Sequence, residues 1–232
     1  MKSLPFYLPL GFGLIVVLTL FALASAARYD RKFGSFLLGL TIVQSLLSMA
    51  GFYTHFAGVP PRMLALVLPP LLTLIGALAT ARGRAFLDSL NPATLTLMHT
   101  LRLPVELVLW GLAAWGVAPR LITFEGINFD IFSGMTAPLV WYFGYVKKAL
   151  PRAVLLAWNI ACLLLLANVV CHAFLSAPTV LQRYSFAQPL VAIGYFPFTL
   201  LPGLVVPAVL LAHVVCLRRL LWPVKTGRHS LA

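Results

Sequence analysis

The sequence alternates long apolar runs with short polar connections. Apolar runs occupy residues 5–27, 36–53, 63–80, 92–117, 129–146, 153–174 and 191–216. Each is about 18 residues or longer, the length a helix rising 1.5 Å per residue needs to cross roughly 30 Å of hydrocarbon. The pattern predicts an all-α, polytopic transmembrane helix bundle of about seven spans. Asn91-Pro92 and Pro151 mark helix starts, because proline in the first turn sacrifices no intrahelical bond. No connection is long enough to bury a core of its own, so residues 1–232 read as a single integral membrane domain without a soluble catalytic appendage.

Charge gives the predicted bundle a direction. Arg28, Arg31 and Lys32, then Arg82 and Arg84, then Lys147, Lys148 and Arg152, then Arg218, Arg219, Lys225 and Arg228 fall in alternate connections. The intervening connections hold only Lys2, Arg62, Arg120 and Arg183. The positive-inside rule then predicts an N-terminus outside and a basic C-terminal tail in the cytoplasm. The small-residue stretch at residues 22–27 could pass for a signal-peptide cleavage site, but a cleaved signal would invert this bias, so the first run reads as a true span.

Composition narrows the class. The chain of 232 residues is 61% hydrophobic and 9% charged, against about a quarter charged in soluble domains, so its surface suits lipid. A net charge of +12 would suggest nucleic acid in a soluble protein. Here the basic residues cluster at the ends of apolar runs, which reads as topology signals and contacts with anionic headgroups and points away from nucleic acid. Cys162, Cys171 and Cys216 all fall in apolar runs without CxxC spacing, so neither a disulfide framework nor a zinc site is indicated. No GxGxxG, P-loop, HExxH, GxSxG or CxxCH pattern occurs, and the familiar catalytic motifs give no support to an enzyme.

Candidate chemistry lies where polar side chains interrupt apolar runs, since an ionisable group at mid-span costs at least about 2.5–3.5 kcal/mol and faces protein or water. In the fourth run His99, Arg102 and Glu106 share a helix face, extended by Thr96, and Arg102 and Glu106 form an i, i+4 pair of opposite charge. Pro104 lies between them and frees the Thr100 carbonyl, which predicts a kink there. The second run carries Gln44, Ser48, Gly51 and His55 on one stripe, and the sixth has Asn168 and His172 at i, i+4. Pro69-Pro70, Pro197, Pro202 and Pro207 predict helix interruptions in the third and seventh runs. The segment 123–134 interleaves aromatics with Glu125, Asn128 and Asp130. It reads as an outer loop in the headgroup region, with Asp130 capping a helix N-terminus or the carboxylates forming a vestibule.

Three functions fit these residues. The leading expectation is a bacterial cytoplasmic-membrane protein whose polar cavity, lined by spans two, four and six, binds or transports a small solute, ion or lipid-like molecule. Arg102 would hold an anionic group or Glu106, Glu106 would exchange a proton or cation, and His55 and His172 would line the outer entrance, with His99, Gln44, Asn168, Glu125 and Asp130 completing the binding set. The second is a non-catalytic scaffold or assembly subunit, homo-oligomeric or bound to a membrane partner, in which the charged pair fixes packing. The third is a haem-binding redox protein using His55 with His172 near the outer face and His99 with His213 near the inner face.

Overall fold

In the computed structural model, which describes residues 4–56 and 58–222, the chain is all-helical, with no strand among the described residues. The helices are α1 (Tyr7–Ala26), α2 (Arg31–Met49), α3 (Leu64–Ala79), α4 (Ala81–Ser89), α5 (Pro92–Met98), α6 (Arg102–Ala114), α7 (Ile131–Trp141), α8 (Arg152–Ser176) and α9 (Val206–Leu221). Five continuous helical stretches are long and apolar enough to cross a membrane: Tyr7–Ala26, Arg31–Met49, Pro92–Ala114, Arg152–Ser176 and Leu201–Leu221. A sixth arises if α3 and α4, bent by 103°, are taken together.

Local sequence explains the helix ends. Asp30 accepts from the Phe33 amide and caps α2, whereas Asn91 accepts from Ala93 and Thr94 and starts α5 at Pro92. Pro151 precedes the first residue of α8. α3 and α4 meet at Thr80, which is extended (φ −101°, ψ 147°) and accepts from the Gly83 amide. α4 carries Arg82 and Arg84 and lies across the end of the bundle after this bend.

The proline pair Pro69-Pro70 does not interrupt α3, contrary to the sequence expectation. Pro70 leaves the Leu66 carbonyl without its helical donor. The Gln44 side-chain amide of α2 supplies one instead, donating Nε2–H at 3.1 Å. The seventh apolar run also departs from expectation. Its first ten residues form a 3₁₀ turn at Ala192–Gly194 and irregular chain, and the continuous helix starts with a π-helical turn at Leu201–Val205.

The connections sort to two ends. At one, the Asn91 amide donates to Ala26, Arg218 pairs with Asp88, and Arg152 Nη2 reaches the Leu221 carbonyl. This end gathers the connections rich in arginine and lysine, although Lys225 and Arg228 of that set, and Lys2 of the other, lie outside the described residues. At the opposite end, Val191 donates to the Val117 carbonyl, Gln188 donates to Ala118, and Gly194 lies against Phe56 and Tyr53.

Candidate functional site

The site is built by a loop that enters the bundle. α6 ends at Ala114, and the chain returns through the 3₁₀ turn Arg120–Ile122 with Val117, Ala118, Ile122, Thr123, Asn128 and Asp130 all buried. α8 shows how deep the loop goes. Asn168 donates to the Ile127 carbonyl at 2.9 Å, and Arg102, which grips Asp130, also donates to the Cys162 carbonyl at 3.1 Å. Those two levels are six residues apart on α8, about 9 Å along its axis. The loop therefore packs into the bundle beside α8. Buried backbone needs partners, and here Asn168 of α8 and the loop's own Asn128 and Thr123 provide them for Ile127, Ile122 and Arg120.

Asp130 does not cap α7 with its side chain. Arg102 Nε donates to Asp130 Oδ2 at 2.6 Å, and Nη2 donates to Oδ1, completing a bidentate pair. Nη1 donates to His213 Nε2 at 3.1 Å. The expected Arg102–Glu106 ion pair is therefore replaced by Arg102–Asp130. The planar guanidinium meets a carboxylate on the re-entrant loop edge to edge, and two further N–H groups go to α8 and α9. Gly134 permits this approach: a Cβ there would lie 2.6 Å from the Leu103 amide nitrogen, so α7 sits directly on the start of α6.

Glu106, one turn along α6, accepts through Oε1 from the Asn128 side-chain amide, which also donates to the Ile122 carbonyl at 3.0 Å. Asn128 Oδ1 accepts from the Asp130 amide at 3.0 Å, so one side chain shapes the loop and aligns both carboxyl groups. Glu106 Oε2 is buried and has no hydrogen-bond partner.

Below the ion pair lie the two inner histidines. His213 passes the network on, its Nδ1–H donating to Asn159 Oδ1 at 3.2 Å, the tautomer its two partners require. His99 stacks on His213 with centroids 4.1 Å apart and meets Trp158 edge-on at 5.6 Å. Both of its ring nitrogens are buried without partners. Rings stacked face to face do not present opposed nitrogens to a metal between them, so the inner pair does not have the bis-imidazole geometry of the haem expectation. The outer pair is not formed either: His55 is exposed against the Gly51 carbonyl, and His172 stacks on Tyr184.

A cavity of about 320 Å³ adjoins this cluster. Arg102, Glu106 and Asp130 stand on its wall, and apart from them, Thr179 and the Cys171 thiol every lining residue is apolar. Its walls come from α3, α6, α8, α9 with its π-helical turn, and the loops at the Val117 end. α2 contributes nothing, which corrects the expected lining by spans two, four and six; the polar stripe of α2 faces α3 and the π-helical turn with the residues just before it. Gln44 is occupied with Leu66 and packs on Gly203, and Ser48 accepts from Thr199. Along α8 the lining runs from Leu166 to Phe174, about 12 Å of helix. α3 packs on the π-helical turn and α8 packs on α9, leaving the cavity between α3 and α8 with exposed Val170, Cys171 and Phe174 at its lip.

Of the nine residues singled out from sequence, Arg102, Glu106 and Asp130 meet at the cavity, and His99 lies beneath them. Gln44, His55, Asn168, His172 and Glu125 do not line it; Glu125 accepts from the exposed Trp110 indole at 2.8 Å. Asn128, Asn159 and His213 complete the network and were not in that set. The architecture and site define a class, an all-helical protein with five or six helices able to cross a membrane and an ionisable cluster in its interior. No family model, curated protein or solved structure matches the chain.

Proposed function

We propose that this chain is a multi-pass protein of the cytoplasmic membrane, with about seven crossings and its basic tail inside, that binds a small lipid-like molecule in the α3–α8 cavity and moves it between bilayer and site. One observation carries the reading. The cavity is apolar along its length, lies between two helices, and has in its wall Glu106, whose buried Oε2 has no hydrogen-bond partner among the described residues. Packing alone accounts poorly for such an oxygen, because an unmet buried acceptor costs about 1–3 kcal/mol. A volume of about 320 Å³ falls at the low end of small-molecule sites.

The orientation rests on the basic connections gathered at one end, which the positive-inside rule assigns to the cytoplasm. Native mass spectrometry of the detergent-purified protein, incubated with a membrane lipid extract, tests the reading. A retained small molecule is expected in the wild type and is lost in Ala173→Trp, whose indole fills the cavity. Equal occupancy in both proteins, or none in the wild type, rejects it. The scaffold reading keeps one specific support: Arg102 is already satisfied by Asp130, Cys162 and His213, as a residue that fixes packing would be.

A further inference from the structure

The charges around the cavity identify the head group that fits it. Arg102 and Asp130 neutralise one another through two hydrogen bonds, so the guanidinium's charge is already matched. One hydrogen of Nη1 and the second hydrogen of Nη2 go to His213 and Cys162, so four of the five guanidinium hydrogens have partners. His213 is neutral in the tautomer its partners fix, and among the described residues no lysine or second arginine lines the cavity. Among the lining residues, the buried side-chain oxygen without a partner among the described residues is Glu106 Oε2, on the cluster's unmatched carboxyl group. Glu106 and Asp130 make two carboxyl groups against one guanidinium. In surroundings of low dielectric, an unmatched carboxylate is relieved by a cation that also donates a hydrogen bond.

Resting on the lipid-like ligand reading above, we infer that the cavity takes a single-chain amphiphile with a protonated amine head. The ammonium donates to Glu106 Oε2, and the chain runs along α8 from Leu166 towards the lip at Phe174. This reverses the sequence expectation that Arg102 would hold an anionic group. A carboxylate or phosphate head would add a third acidic group beside Glu106 and Asp130, against a guanidinium whose charge Asp130 already matches. A quaternary ammonium would supply charge but no hydrogen bond.

The test is a competition with head groups of matched chain. A decylamine carrying a diazirine in its tail is photolysed with the full-length protein in maltoside micelles, and the adduct is mapped by peptide mass spectrometry. Decylamine, decanol, methyl decanoate and decanoate then compete at equal mole fraction in the micelle. Adducts are expected on lip and wall residues such as Phe174 and Val209, with decylamine displacing the probe at least about tenfold more effectively than the other three. Glu106→Gln keeps an oxygen for Asn128 and turns an amide donor into the cavity, so methyl decanoate becomes the better competitor. If decanol, ester or decanoate competes as well as decylamine in the wild type, the amine assignment is wrong while the cavity reading stands. Absence of any cavity adduct overturns both. The wild-type ranking decides the assignment even if Glu106→Gln fails to fold.

Discussion

Among the described residues, two bidentate arginine–aspartate pairs stand in opposite settings. Arg102–Asp130 joins α6 to the re-entrant loop with side chains 3% and 8% exposed. Arg218–Asp88 joins α9 to α4 at the basic end, both side chains 22% exposed. Their geometry is alike, with Nε and Nη2 each donating to one carboxylate oxygen. The surroundings differ in what loss of a partner would leave. Removing Asp88 leaves an arginine that water and headgroups can solvate. Removing Asp130 strands a guanidinium beside apolar walls and leaves the loop that shapes the cavity without its anchor.

The largest effect follows from that difference. Asp130→Ala or Arg102→Ala is expected to cost about 3–5 kcal/mol, read as loss of monodisperse protein and a collapsed melting transition in detergent. Replacing both partners by Leu and Met of similar volume restores much of the stability, because neither charge is then buried alone. A double variant as unstable as the single ones would show that the pair supplies hydrogen bonds that no apolar packing can replace.

How much of this was legible in the sequence differs between helices and site. The apolar runs place α1, α3 and α8 within a few residues, since their lengths are set by hydrocarbon thickness and their ends by caps and prolines. The run at 191–216 misled because apolarity reports burial and says little about conformation; with Pro197 and Pro202 near its start, the chain there turns and is helical only from Leu201. Helical periodicity also paired Arg102 with Glu106, the nearest carboxyl on the same face. The true partner is 28 positions away on a loop, where no period applies. A count of carboxylates could have found it. Asp30, Asp88, Glu106, Glu125 and Asp130 are all there are, and the first two fall beside basic connections. The apolar text around Asp130 then marks it as a buried residue in need of a cation.

Intermediate effects test how the loop is held. Asn128→Ala removes the donor to Glu106 Oε1 and to the Ile122 carbonyl, leaving buried acceptors unmet. It is expected to cost about 1–3 kcal/mol and to weaken any cavity ligand together with stability. Gly134→Ala forces α7 away from Leu103 and costs about 1–3 kcal/mol through overpacking against backbone that cannot yield. A melting temperature for Gly134→Ala equal to that of the wild type would mean that Asp130 reaches Arg102 without this close approach.

The smallest effect belongs to the peripheral pair and is the one that solution conditions can tune. Asp88 lies on α4, outside the apolar spans, and its hydrogen bonds from Arg218 hold its carboxyl below the usual aspartate range. Because the folded value is lowered, the pair's contribution is complete above the unfolded aspartate pKa of about 3.9 and fades as pH falls through the lower folded value. Asp88→Asn is therefore expected to lower the melting temperature by only about 1–2 °C near neutral pH. The difference from wild type should vanish in acid below that range. It should also shrink at molar salt, where the screening length falls to about 3 Å. Arg102→Ala should keep its deficit at the same salt, because counterions do not reach a pair enclosed by α6, α8 and the loop. If salt reduced both deficits alike, the inner pair would be in contact with water, and the contrast between the two regions would rest on geometry rather than on burial.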